Sequence, residues 1–322
     1  MIASVGRHCE TYNILRSMLA VIDLGTNTFH LLLAKVHGAN EIREIQKLQI
    51  PVKLGEGGIN SQIITEAAFE RGISALKEFK KILVEREVEK VFAFATSAIR
   101  SAANGKEFVD AVRNETGIEI KTITGDEEAE LIYNGARHTI TLTEEKIMVM
   151  DIGGGSVEFI IANKDGIFWK HSFPIGAARL LEKFHTTDPI SVEEQEKLKE
   201  FLDFELLALK NALHEFPVKT LVGSAGSFES LVDMIEQNLN KKLHFTTSCE
   251  IQLDDYRKIF AMILASTHED RMHFKGLIPY RGEMIVMSFL LIEYVLNEFG
   301  IQKMMASDYS LKEGALFKMS GI

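Results

Sequence analysis

With 322 residues, 46% of them hydrophobic and 25% charged, the chain is long enough to bury a large core without covalent staples and too apolar for wholesale disorder. Its net charge of −10 excludes a broadly basic nucleic-acid coat, so any anion must be held by local donors against the overall field. At about 150 residues per domain, the length predicts two domains.

Cys9 and Cys249 are the two cysteines, so the chain carries neither a disulfide framework nor a CxxC pair. The longest apolar stretch, Met284 to Leu296, is interrupted by Glu293 and is too short to span a bilayer. Residues 1–16 lack the apolar core of a secretory signal, and a cytoplasmic protein with no membrane partner is expected.

Residues 1–17 carry no clear period and read as an N-terminal extension, with Met18 standing before the first strong strand. Leu19 to Leu24 is a buried-strand pattern, closed by the polar turn Gly25-Thr-Asn-Thr28 and followed by apolar runs from Phe29 to Val36 and from Glu41 to Leu48. Between Thr65 and Glu85, Ala68, Ile73, Leu76, Phe79 and Leu83 recur near helical period. A strand (91–95), a helix (106–116), a strand (118–123) and a helix (126–138) follow.

The pattern then restarts. Lys146 to Asp151 is an apolar strand, Gly153-Gly-Gly-Ser156 a glycine turn, and Val157 to Asn163 a second strand. Setting Asp23 on Asp151 puts Gly25 on Gly153 and Thr28 on Ser156, a constant offset of 128 residues. A repeat this long predicts two related α/β domains, 18–138 and 139–322, because solenoid units are only about 20–50 residues. The terminal helix is a candidate to pack back on the first domain. The second half continues through helices around 191–214, a strand at 220–222 and further helices to the end.

Glycine turns expose backbone N–H groups, and the missing Cβ lets a phosphate come close. Gly25, Asn27, Gly153, Gly154 and Gly155, with the hydroxyls of Thr26, Thr28 and Ser156, are therefore candidate phosphate-binding residues. Asp23 and Asp151 end the preceding strands, where a carboxylate can hold a divalent cation. Two such hairpins across a cleft would clamp one polyanion between two domains. No Gly-Lys-[Ser/Thr] follows, which excludes a P-loop, and no GxGxxG opens a helix, which argues against a dinucleotide site. A third glycine turn, Gly223-Ser-Ala-Gly226, reads either as an anion site or as a helix start with Ser227 near the cap. His268 and His273 are five apart and do not share a helix face, so metal ligation is not expected there. The Met- and Phe-rich stretch from Met284 to Phe299 is core or dimer surface, and a homodimer through the second domain is a candidate.

Thr124 and Glu127 have capping-box spacing at the start of the 126–138 helix, which accounts for Glu127 but leaves Glu128 unexplained. Here the chain resembles the exopolyphosphatase/guanosine pentaphosphate phosphohydrolase family of the actin–Hsp70–sugar kinase superfamily. The resemblance runs from about Leu19 to Gly314. It is carried by Asp23-Leu-Gly-Thr-Asn-Thr-Phe-His30, Ala95-Thr-Ser-Ala-Ile-Arg100, Gly125-Asp-Glu-Glu-Ala129 and Asp151-Ile-Gly-Gly-Gly-Ser156-Val-Glu158, supported by Pro279-Tyr-Arg281 and Ser307 to Gly314.

The resemblance implies two ribonuclease H-like domains with a cleft between them. It also implies Mg²⁺-dependent release of terminal orthophosphate from polyphosphate or guanosine pentaphosphate. Glu128 falls on the family's general base, Asp151 and Glu158 on its metal- and phosphate-site acids, and Thr96 and Arg100 on polar cleft residues. Val157, Lys312 and Gly282-Glu283 depart from the family's usual residues, which bears on substrate preference more than on the chemistry. Lys53 and Arg179 join Arg100 as candidate phosphate contacts in an acidic chain. Two rivals remain at this stage: an ATP-dependent kinase or ATPase of the same superfamily, and a non-catalytic polyphosphate- or alarmone-binding protein.

Overall fold

The computed structural model describes residues 18–37, 41–224 and 226–320; the expected N-terminal extension, 1–17, lies outside them. Strands β1 (Met18–Leu24), β2 (Thr28–His37) and β3 (Glu41–Pro51) form an antiparallel meander. Strands β4 (Lys90–Ala95) and β5 (Ile120–Thr122) then add in parallel, giving the order β3-β2-β1-β4-β5. Helices α1 (Glu66–Glu85), α2 (Ser97–Ser101) and α3 (Gly105–Thr116) make the crossovers, and Gly117 ends α3 in the left-handed region at φ 70°. The five apolar positions read at helical period on α1 are all buried.

Helix α4 (Gly125–Ala136) opens on the expected capping box, in which the Thr124 hydroxyl accepts from the Glu127 N–H and the Glu127 carboxylate accepts from the Thr124 N–H. The second sheet repeats the plan. Strands β6 (Ile147–Ile152), β7 (Val157–Asn163) and β8 (Gly166–Phe173) form a meander, followed by α5 (Ala177–Phe184), α6 (Val192–Glu205) and α7 (Leu207–Glu215). Strand β9 (Thr220–Ser224) pairs parallel to β6, and α8 (Gly226–Leu239) leads to β10 (Ser248–Ile251). Helices α9 (Leu253–Leu264), α10 (His268–Met272) and α11 (Ile285–Glu298) precede β11 (Lys303–Ser307) and α12 (Leu311–Ser320). The order is β10-β11-β9-β6-β7-β8. The sequence-based expectation of helices from α8 to the end is corrected by β10 and β11, two strands of only four and five residues, and β8 extends the second meander.

Both central strands are apolar on both faces because both faces are covered. In β1, Ala20, Ile22 and Leu24 pack under α1 and α3, while Leu19 and Val21 face a different cluster that also holds Ala129, Ile132, Val149, Ile160, Val222, Ala315 and Leu316. That second cluster joins the two sheets: α4 and α12 lie between them, and residues 311–320 return to pack on α4, β1 and β2. The far face of the second sheet packs on α5 to α9 and α11, with Phe289, Ile292 and Val295 of the Met- and Phe-rich stretch inside its core.

Candidate active site

The offset of 128 residues survives in three dimensions. On β1 and β2, Asp23 pairs with His30; on β6 and β7, Asp151 pairs with Glu158. The two hairpins thus present Asp with His on one wall and Asp with Glu on the other. At both turns the leading glycine is required. A Cβ on Gly25 would lie 2.8 Å from the Thr28 carbonyl oxygen, and one on Gly153 would lie 3.0 Å from the Ser156 carbonyl oxygen. The turns also touch each other across the lobes, since a Cβ on Gly155 would meet the hydroxyls of Thr26 and Ser97 at 2.6 Å.

Between the hairpins is a cleft of about 160 Å³. It is lined by Asp23, Gly25, Thr26, Asn27 and Thr28 from the first turn and by Asp151, Gly153, Gly154, Gly155, Ser156 and Glu158 from the second. Thr96, Glu128 and Gly226 complete the expected set within it. Two expected residues lie elsewhere. Arg100 lines an adjoining recess and reaches the cleft through Glu128. Gly223 is corrected: it is a strand residue of β9 whose missing Cβ makes room for the Phe228 ring, so packing and not an anion demands glycine there.

The capping box aims Glu128 inward from the first turn of α4, where it is 7% exposed. Arg100 Nη1 donates to its carboxylate at 2.7 Å and to the Ile123 carbonyl at 3.1 Å. Burial pushes the Glu128 pKa up, and Arg100 partly offsets this. Burial, reinforced by the Glu128 charge, raises Asp23 and Asp151 to about 7, and the same causes push Glu158 well above the usual carboxylate range. Ser224 donates to Asp151 at 3.1 Å and Ser172 to Glu158 at 2.6 Å, whereas Asp23 Oδ1 is buried with no partner.

A buried carboxylate oxygen without a donor, facing other acids, suits a divalent cation. Among the described residues, no three His, Cys, Asp or Glu side chains converge closely enough to hold an ion by themselves.

The far wall holds residues the sequence reading did not assign to the site. Lys312, 8% exposed, lies in the cleft. Burial pulls its pKa down, but Glu313 and Glu229 outweigh this and hold it above the usual value. On the first hairpin, His30 is kept well below its ordinary pKa by burial and by Lys312, Arg281 and Lys47, which favours the neutral imidazole. The signal for His30 was present, seven positions after Asp23 and at the same offset from Glu158.

Of the other candidate cations, Lys53 pairs across the lobes with Glu283 at 2.8 Å. Arg179 donates to the carbonyls of Gly155 and Ile59 and to the Ser101 hydroxyl. Both tie the lobes together in this structure.

A model of the Ppx/GppA phosphatase family matches residues 33–321. The chain belongs to that family. An exopolyphosphatase from Cytophaga hutchinsonii has a solved structure that superposes with a TM-score of 0.91 at 38% identity, covering 94% of this chain and 98% of that one. Exopolyphosphatase 1 of Mycobacterium bovis is 28% identical over 304 residues, 93% of this chain and 87% of its own. A bifunctional 3-dehydroquinate synthase/phosphatase of Fusobacterium nucleatum is 31% identical over 310 residues, and this chain spans 46% of that longer protein. The two sheets are therefore the cores of the paired actin-like domains of Ppx/GppA proteins. Among the described residues, no helix is long and apolar enough to cross a membrane.

Proposed function

We propose that this Ppx/GppA protein is a divalent-cation-dependent phosphohydrolase that removes the terminal orthophosphate from inorganic polyphosphate. The observation that carries this reading is Glu128, a buried carboxylate of raised pKa at the floor of a cleft walled by two glycine hairpins. The names of its relatives support the substrate class.

The backbone N–H groups of residues 25–28 and 154–156, with the hydroxyl of Thr26, hold the terminal phosphate, while the Gly153 N–H and the Thr96 hydroxyl donate to the Ser156 and Leu24 carbonyls and shape the turns. Asp151, Glu158 and Asp23 are the residues that would hold a cation, whose charge would neutralise the phosphate oxygens. Glu128 accepts a proton from the attacking water as the water oxygen bonds to the terminal phosphorus. The bridging P–O bond breaks, and its electron pair leaves on the shortened chain. Arg100 keeps Glu128 oriented and pulls its pKa down against the larger upward push of burial.

Guanosine pentaphosphate presents the same terminal group, so both substrates and ATP are compared side by side. Orthophosphate release from polyphosphate with Mg²⁺, lost on chelation and exceeding ATP turnover, supports the proposal. Binding of polyphosphate without release would mark a sensor instead.

A further inference from the structure

Beside the cleft is a second recess of about 430 Å³. It opens between β8, an edge strand of the second sheet, and the β5–α4 connection at the edge of the first. It shares only Ser97 and Ser156 with the cleft. The wall between them is the Arg100–Glu128 pair, in which Glu128 lines the cleft and Arg100 lines the recess.

Two guanidinium groups face this space, Arg100 and Arg179. Each Arg179 nitrogen donates to a carbonyl or a hydroxyl and none to a carboxylate; the opposite charge that acts on it is Glu182. Burial lowers the Arg179 pKa, with Arg100 adding like-charge repulsion. Among the described residues, Nε and Nη2 of Arg100 have no hydrogen-bond partner, because both its bonds leave from Nη1. The exposed ring of His171 and the carboxylate of Asp126 stand at the rim. Two like charges held in one recess with spare N–H donors are stabilised by an anion between them.

The chemistry in the cleft supplies such an anion. A terminal phosphoryl group that reacts at Glu128 becomes orthophosphate at the end of the cleft farthest from the remaining chain. While that chain stays bound, its own length obstructs the way back. We propose that the recess is a second anion site, the exit station of orthophosphate, entered past the Arg100–Glu128 wall and left by the β8 side. This rests on the hydrolase reading above.

Initial rates with polyphosphate at a series of inorganic phosphate concentrations test it. Phosphate in a separate recess coexists with the chain, so mixed inhibition is expected, lowering kcat. His171→Asp should weaken that inhibition about five- to tenfold, and Asp126→Asn should strengthen it, each leaving the KM for polyphosphate in place. Purely competitive inhibition unmoved by either substitution overturns the proposal. If polyphosphate is not turned over, calorimetric titration with inorganic phosphate alone decides. Binding weakened by His171→Asp and tightened by Asp126→Asn retains the recess while the hydrolase reading falls. No phosphate binding, or binding indifferent to both variants, ends it.

Discussion

The Arg100 guanidinium, 2.7 Å from the Glu128 carboxylate, spans the boundary between cleft and recess. Arg100 lowers a pKa that burial raises, so removing it moves Glu128 further up. Arg100→Gln is therefore expected to shift the acid limb of the pH–rate profile to higher pH and to lower kcat near neutrality. A pH profile of kcat/KM checks this, and an unshifted limb means that another group titrates there.

Glu128→Gln keeps the size and burial of the side chain and removes its basicity. Loss of a general base costs about 10²–10⁴ in rate. Phosphate release should drop by that factor while polyphosphate still binds. Turnover in single-turnover mixing separates the two effects.

Burial, reinforced by the Glu128 charge, pushes Asp23 and Asp151 up from the ordinary 3.8 to about 7. Between about pH 4 and pH 7 the folded protein therefore holds more protons than the unfolded chain, and stability falls as pH rises through that window. Asp23→Asn should raise Tm by about 2–6 °C near pH 8 and give little gain near pH 4. Mg²⁺ should raise the wild-type Tm near pH 8, and less so in the Asp23→Asn and Asp151→Asn variants. Differential scanning fluorimetry across pH and Mg²⁺ measures both.

Gly155 lies where the two hairpins meet, with Thr26 and Ser97 2.6 Å from the site of its absent Cβ. Gly155→Val forces the turns apart at a stability cost of about 1–3 kcal/mol. The fold is expected to persist by circular dichroism while phosphate release is lost, because the clamp no longer closes.

Lys53 and Glu283 join the lobes with side chains 30% and 41% exposed. A pair this wet contributes about 0–1 kcal/mol, so Glu283→Ala should barely change Tm. Its effect should show instead in small-angle scattering as a wider average cleft, and the wild type should approach that value at high salt.

The paired hairpins were legible because strand, glycine turn and strand recur at one spacing, and a single register fixes every side chain on such a ribbon. The same offset runs past the turn, from His30 to Glu158, but the sequence reading followed it only to Thr28 and Ser156. Strand β8 was missed although Asp165-Gly166 leads into the β-prone run Ile167-Phe-Trp169, and β10 and β11 are too short to show a period. The pairing of Arg100 with Glu128 and of Lys53 with Glu283 spans 28 and 230 residues of chain, and no local pattern encodes it. Gly223 misled because a glycine after a strand looks alike whether it admits a phosphate or, as here, the ring of Phe228.

Helix α12 contributes Lys312 to the cleft and lays Ala315 and Leu316 against the core shared with α4. A ribosome that has just released residues 18–138 thus exposes a first lobe whose inner apolar face is covered by α4 alone. The cover on that face is complete only when residues 311–320 arrive. One late helix thus completes both the cleft wall and the core, so a nascent chain short of it should be inert and chaperone-dependent.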